Sequence, residues 1–215
     1  MADRADAGVV RGDDGRRRCA WCLSAEDYVA YHDGEWGRPV ADDGRLYEKI
    51  CLEGFQSGLS WLTILRKREG FRRAFADFVP EVVAGFGPGD VERLVQDAGI
   101  VRHRGKIEAT IANAAAVLEA RRSHGSLARL VWSFEPERKG RSAPRRMGDL
   151  QSITPESTAL AKALRMLGFR LIGPTTAYAT MQSVGVVNDH LAGCHVRTAC
   201  ERERRRVRTE VGLDG

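Results

Sequence analysis

Apolar residues between positions 46 and 184 recur at the spacing of an α-helix, and this periodicity constrains the fold most strongly. Leu46, Ile50 and Cys51, for example, share one helical face, since residues three and four apart are neighbours on a helix. No alternating apolar and polar run exceeds a few residues. The predicted fold class is therefore all-α. Helices are predicted over residues 90–98, 105–122, 155–167 and 174–184.

The two chain ends differ in composition from this helical region. Residues 1–18 combine Gly, Asp and Arg with little apolar pattern, which predicts a disordered lead-in. Residues 196–215 are an Arg-rich charged tail, and residues 201–210 within it indicate a solvated helix end or disorder, with a DNA-contacting arm as the alternative. Residues 135–150 are polar and contain Pro and Gly, which predicts a loop. We therefore expect one helical domain over residues 19–195.

The charge balance favours a polyanionic partner. The 215 residues carry a formal net charge of +5, and Lys and Arg side chains neutralise phosphates. No apolar run reaches the roughly 18 residues of a membrane span, and no apolar segment follows the charged N-terminus. We expect a soluble intracellular protein with no membrane partner.

Cysteine and histidine residues near both chain ends suit a metal ion. His190 and Cys194 are four apart, so they share a face if the segment is helical. Cys19 and His32 offer a sulfur and a nitrogen near the N-terminus. Together they make a Cys₂His₂ set, which is typical of a closed tetrahedral zinc site.

The spacing leaves other ligand choices open. The chain has five cysteines, and this odd number argues against a disulfide framework. Cys22 forms a CxxC motif with Cys19, and His195 is a spare histidine, so either could be a ligand instead. Ordinary buried cysteines and surface histidines are the alternative interpretation.

Aromatic residues concentrate around one unusual carboxylate. Three of the four Trp and three of the four Tyr residues lie within 41 positions. Glu53 stands in an apolar stretch, so its carboxylate must be paired, hydrogen-bonded or neutral. Aromatic faces attract cations, and a carboxylate accepts hydrogen bonds. A site that combines the two is therefore suited to binding a flat cationic ring. The alternative is an aromatic core beside a surface glutamate.

Taken together, five motifs in order resemble the 3-methyladenine DNA glycosylase I family of bacteria, over about residues 19–195. The motifs are YHDGEWG (31–37), ICLEGFQSGLSW (50–61), LVQDAGIVRHRGKI (94–107), VWSF (131–134) and VNDHLAGC (187–194). The resemblance implies the helix-hairpin-helix DNA glycosylase fold, with residues 168–178 as the phosphate-gripping hairpin.

The resemblance also implies the site residues. One structural zinc ion would be held by Cys19, His32, His190 and Cys194. Glu53 would be the catalytic, base-recognising carboxylate, within a pocket formed by Tyr31, Trp61, Trp21, Tyr28 and Trp36. The DNA-binding residues would be Gln56, Ser57, Gly58, Leu59, Gly173, Thr175 and Thr176.

The implied activity is excision of 3-methyladenine from alkylated double-stranded DNA, leaving an abasic site and the free base. We expect a monomer in the bacterial cytoplasm. Asn188 stands where the wider superfamily carries a catalytic Asp, and Asp189 is expected to be structural. No Lys lies in an evident pocket motif, so no Schiff base is expected. The alternatives are a zinc-stabilised lesion-binding module without catalysis, or a glycosylase for another alkylated base.

Overall fold

A computed structural model describes residues 8–137 and 142–213. Two three-residue strands, β1 (Val9–Arg11) and β2 (Arg17–Cys19), precede the helices. The α-helices of this part of the chain are α1 (Glu26–Gly34), α2 (Asp43–Gln56), α3 (Trp61–Ala74), α4 (Pro80–Val83), α5 (Pro88–Leu94), α6 (Arg104–His124), α7 (Leu127–Trp132), α8 (Pro155–Met166), α9 (Pro174–Ser183) and α10 (Arg197–Glu210). Among the described residues, no helix is both long enough and apolar enough to span a membrane.

Helix α2 lies at the centre of the fold. The Asp42 carboxylate caps its N-terminus by accepting from the backbone N–H of Arg45 at 2.8 Å. Every residue from Leu46 to Phe55 is buried, because α3, α6, α7 and α9 all contact this helix. A helix buried on all sides must be apolar all round or have its charged residues satisfied by neighbours.

The mostly helical architecture agrees with the predicted fold class, and the segments predicted over 105–122, 155–167 and 174–184 form α6, α8 and α9. The segment predicted over 90–98 starts and ends earlier, as α5. The Asp90 carboxylate accepts from the backbone N–H of Gly87 at 3.1 Å, so Asp90 lies inside the first turn and is not the cap. The described parts of the predicted loop, residues 135–150, contain only a short 3₁₀ turn.

The predicted disordered lead-in is wrong from residue 8 onward. β1 and β2 form an antiparallel hairpin in which Val9 lies opposite Cys19; the first seven residues lie outside the described part. Arg18 is 3 % exposed and donates to the Asp14 carboxylate at 2.7 Å and to the Asp33 carboxylate at 2.7 Å. The contact with Asp33 joins the β1–β2 hairpin to α1. The pattern of apolar residues in the sequence does not indicate this ion pair.

The predicted charged tail is not a separate unit. Residues Arg197–Glu210 of it form α10, which buries Cys200, Arg204 and Val207 on one face. The Arg204 guanidinium donates to the Glu135 carboxylate at 2.6 Å and to the Val186 carbonyl at 2.7 Å. Composition shows that Arg204 is charged but does not show that distant residues bind it in the interior. Composition alone therefore indicated a solvated tail.

Replacing Arg204 tests whether α10 belongs to the folded domain. We expect Arg204→Met to lower the free energy of unfolding by about 3 kcal/mol, because it leaves Glu135, whose side chain is 1 % exposed, with less compensating charge. Arg202→Met, at an exposed position of the same helix, should change it by less than about 0.5 kcal/mol. Urea denaturation followed by circular dichroism measures both, and equal effects would contradict the packing of α10.

Candidate functional site

A cavity of about 1070 Å³ opens beside the C-terminal end of α2. Its walls come from the segment before α1, from α1 and the turn after it, from α2, α3 and α9, and from the turn around residues 147–150. The structure brings all five predicted aromatic residues and the predicted carboxylate to this cavity, namely Trp21, Tyr28, Tyr31, Trp36, Trp61 and Glu53.

Local contacts fix the aromatic walls. Tyr28 and Tyr31 lie three apart on α1, so both face the cavity. The Tyr28 hydroxyl accepts from the backbone N–H of Leu62 at 3.0 Å, which ties α1 to the first turn of α3. The Tyr31 and Trp61 ring centroids lie 5.5 Å apart. The Trp21 ring contacts the Tyr28 ring edge-on at 5.6 Å, so the rings support one another.

Glu53 is the acidic group of this cavity. It lies on the last turn of α2 and is 7 % exposed. Burial raises the pKa of Glu53 to about 7, while the Lys49 charge and a hydrogen bond with Ser183 act in the opposite direction. Within the described residues Glu53 makes no ion pair within 4.0 Å, and the indole N–H of Trp61 is buried without a partner. Glu53 lines the cavity, so the cavity presents a buried hydrogen-bond acceptor that is suited to a polar ligand.

A buried lysine below the cavity was missed by sequence reasoning. Lys49 is 2 % exposed; its ammonium pairs with the Glu35 carboxylate and lies 4.9 Å from the centroid of the Tyr31 ring. It does not line the cavity. The spacing of four between Lys49 and Glu53 was the available signal, because it puts both side chains on one face of α2.

Other cavity residues lie outside the five motifs found in the sequence. Gln182 of α9 lines the cavity and donates to Asp189 at 2.8 Å. Met147 and Leu150 contribute apolar surface from the loop before α8. These contacts depend on tertiary packing, and no residue pattern in the sequence signals them.

The turn formed by the predicted DNA-binding residues 56–59 adjoins the cavity. Gln56 lines it, whereas Leu59 is 41 % exposed on the α2–α3 turn. Gly58 has φ +82°, a left-handed conformation that favours glycine. The Lys106 ammonium holds this turn by donating to the carbonyls of Phe55 at 2.9 Å and Ser57 at 2.6 Å.

The predicted phosphate-binding residues lie apart from the cavity, at the start of α9. Gly173 precedes the helix and Thr175 is exposed in its first turn, where backbone N–H groups have no helical partner. Asn113 of α6 binds the segment between α8 and α9. Its side-chain oxygen accepts from the Arg170 N–H at 2.7 Å, and its amide donates to the Arg170 carbonyl at 3.3 Å.

Asn188 and Asp189 also lie outside the cavity lining. The Asn188 amide donates to the Arg197 carbonyl at 3.1 Å. The Asp189 carboxylate accepts from the Tyr178 hydroxyl at 2.7 Å. Both side chains are buried, and the partners named here lie on α9 and α10.

The four predicted metal ligands converge on one point. Their donor atoms all lie within 4.8 Å of one another, and all four side chains are buried. His190 Nδ1 lies 3.2 Å from His32 Nε2, and Cys194 Sγ lies 3.5 Å from His32 Nε2 and 3.7 Å from His190 Nδ1. Around a tetrahedral zinc ion, nitrogen ligands are separated by about 3.3 Å and nitrogen–sulfur pairs by about 3.6 Å. The geometry therefore fits such an ion, with Cys19 as the fourth ligand.

The outward nitrogens of both histidines have fixed partners. His32 Nδ1 lies 2.8 Å from the Asp33 carboxylate, and His190 Nε2 lies 2.9 Å from the Trp36 carbonyl. Such partners orient metal-binding imidazoles. Cys22 is buried outside the four-residue set, and His195 lies 3.0 Å from Asp33.

Comparisons with known proteins identify the family of this chain. The family model described as methyladenine glycosylase matches residues 21–198. The chain is 48% identical over 177 residues to DNA-3-methyladenine glycosylase 1 of Escherichia coli, which covers 82% of this chain and 95% of that protein. It is 43% identical over 185 residues to DNA-3-methyladenine glycosylase of Haemophilus influenzae, covering 85% and 98% of the two chains.

A solved structure extends the likeness to three dimensions. It is a tyrosine-to-phenylalanine variant of 3-methyladenine DNA glycosylase I in complex with 3-methyladenine. It matches with a TM-score of 0.79 at 33% identity, covering 84% of this chain and 97% of that one. The chain therefore belongs to the methyladenine glycosylase family.

Proposed function

We propose that this protein hydrolyses the N-glycosidic bond of 3-methyladenine in alkylated DNA. The observation that carries the proposal is Glu53, a buried carboxylate without an ion pair among the described residues, facing an aromatic cavity. Curated relatives are named for this activity, and a related structure is described as a complex with 3-methyladenine.

The chemistry of the lesion matches the cavity. Methylation at N3 gives the adenine ring a formal positive charge while it is attached to the sugar. The faces of Tyr31 and Trp61 attract such a ring, and the Glu53 carboxylate can accept hydrogen bonds from its N–H groups. These contacts would select a flat cationic base over a neutral one.

Bond cleavage needs little help from an acid. When water attacks the sugar C1′, the C1′–N9 bond breaks and its electron pair goes to the base, cancelling the positive charge. The attacking water loses its proton to solvent, leaving an abasic sugar. The leaving base needs no protonation, so the enzyme can work with Asn188 where the wider superfamily has Asp. Lys49 pairs with Glu35 and does not line the cavity, which favours hydrolysis without a Schiff base.

Base binding in the cavity requires an extruded nucleotide. Extrusion costs a few kcal/mol, and less where a lesion weakens pairing. We propose that the Gln56–Leu59 turn fills the gap in the duplex, with exposed Leu59 as its apolar tip. The start of α9, with Gly173, Thr175 and Thr176, would bind a phosphate through its free N–H groups. On this basis α8, the hairpin and α9 form the helix-hairpin-helix unit of this superfamily.

We also propose that Cys19, His32, His190 and Cys194 bind one zinc ion. The donor types, their separations and the fixed outer nitrogens all support this assignment. Four protein ligands leave no open coordination position, so the ion would join the two chain ends rather than act in the reaction.

Replacing Glu53 tests the assigned recognition role. Glu53→Gln should reduce the rate of 3-methyladenine release from alkylated DNA about 10- to 100-fold, the effect of losing a hydrogen bond to a charged group. Glu92→Gln, at a carboxylate whose side chain is 64% exposed, should leave the rate unchanged. Release is measured by chromatography of the freed base. Undiminished release by Glu53→Gln would refute the role.

Metal analysis tests the zinc assignment. Protein purified without chelators should contain about one zinc per chain, because the four donors are preorganised. Cys194→Ala should lose the metal and show a lower Tm, whereas Cys22→Ala should retain it. The zinc content of each purified protein is measured by mass spectrometry. A wild-type protein without zinc, or loss of zinc from Cys22→Ala, would contradict the ligand set.

A further inference from the structure

Four charged side chains lie together below the aromatic cavity. Lys49 and Glu53, both buried, lie four apart on α2 and share one face of that helix. Glu35 comes from the residues after α1, and Arg68 comes from α3. Their side chains are 20% and 22% exposed, so the whole group is largely removed from water.

The pairing within this group leaves one positive charge for Glu53. The Lys49 ammonium and the Arg68 guanidinium both donate to the single Glu35 carboxylate. Two cations and one anion sum to +1, and an ionised Glu53 brings the four residues to zero; the other carboxylate near Arg68, that of Glu69 at 4.0 Å, is 67% exposed and so is largely screened by solvent. The Lys49 ammonium lies 4.9 Å from the centroid of the Tyr31 ring, so this charge is next to the wall of the base cavity.

We infer that Lys49 is a positioning residue for the reaction, which keeps the Glu53 carboxylate ionised so that it accepts hydrogen bonds from the cationic base. The inference rests on the proposed role of Glu53 in base recognition. Lys49 itself lies behind Tyr31 and does not line the cavity, so it acts on the base only through Glu53.

The electrostatics of the site support this assignment. Burial favours a protonated Glu53 and raises its pKa, and Lys49 opposes that effect. Burial also lowers the pKa of Lys49, while Glu35 and Glu53 favour its charged form. The groups that face this pair come from α1 and its following turn, α3 and α9, and are Tyr31, Glu35, Arg68 and Ser183.

Loss of the Lys49 charge should therefore shift the pH dependence of base binding. The bound base requires ionised Glu53, so affinity rises as the pH passes upward through the pKa of Glu53, near 7 in the wild type. Lys49 lies one helical turn from Glu53 in the protein interior. Removing its positive charge should raise that midpoint by about one pH unit or more. At pH 7 the affinity would fall about fivefold or more, and above pH 9 it would recover.

The experiment measures the affinity for free 3-methyladenine by calorimetry from pH 5.5 to 9.5. At each pH, affinity is divided by that of Glu53→Gln, which removes any titration of the base itself. Lys49→Met should move the midpoint upward, Lys49→Arg should keep it near the wild-type value because Arg stays charged, and Lys162→Met, an exposed lysine on α8, should leave it unchanged.

A second variant covers the case in which Lys49→Met does not fold. Arg68→Met removes one positive charge from the same group, and should move the midpoint upward by a smaller amount. Arg66→Met, on the same helix with a side chain 59% exposed, is its control and should not.

The outcomes separate the two proposals. Glu53→Gln binding the base as tightly as the wild type would overturn the proposed function. If Glu53→Gln binds weakly but Lys49→Met loses affinity equally at every pH, Lys49 only supports the fold and the inference is overturned. An unshifted midpoint in a folded Lys49→Met or, failing that, in Arg68→Met overturns it as well.

Discussion

The burial of α2 on every side is the constraint on which the rest of the structure depends. A charged side chain on such a helix needs a partner from another element, because an isolated charge in an apolar interior is strongly unfavourable. Glu48 accepts from Arg72 of α3 at 2.8 Å, and Lys49 pairs with Glu35. Glu53 faces the aromatic cavity instead. Of these three, it is therefore the one whose remaining hydrogen-bonding capacity is available to a ligand.

The joining of the chain ends is coupled to the same cavity. Tyr31 lines the cavity and the adjacent His32 belongs to the Cys/His cluster, so a single turn of α1 serves both sites. Trp36 lines the cavity with its ring while its carbonyl lies 2.9 Å from His190. A metal ion bound by the cluster would thus hold two cavity walls in place although it is not in the cavity.

The sequence predicts those features that depend on local patterns. Helical periodicity predicted α6, α8 and α9, whereas the pocket around Glu53 was implied by the family resemblance, because aromatic density alone left an aromatic core beside a surface glutamate as the alternative. Local sequence patterns could not predict the N-terminal hairpin, α10 or the role of Lys49, because each depends on an ion pair between distant residues. Arg18 with Asp33 and Arg204 with Glu135 are the clearest examples. Composition indicates only that such residues are charged, whereas their burial is decided by the partner that the fold supplies.

The most direct test of the cavity as the base-binding site is a titration of tryptophan fluorescence with 3-methyladenine. Trp61 lines the cavity, whereas Trp132 is fully buried in the core, where its indole N–H donates to the Val40 carbonyl at 2.8 Å. We expect saturable quenching at one site per chain, retained in Trp132→Phe and reduced in Trp61→Phe, in which Trp21 and Trp36 still line the cavity. Absence of saturable quenching, or quenching that persists fully in Trp61→Phe, would contradict the cavity as the base-binding site.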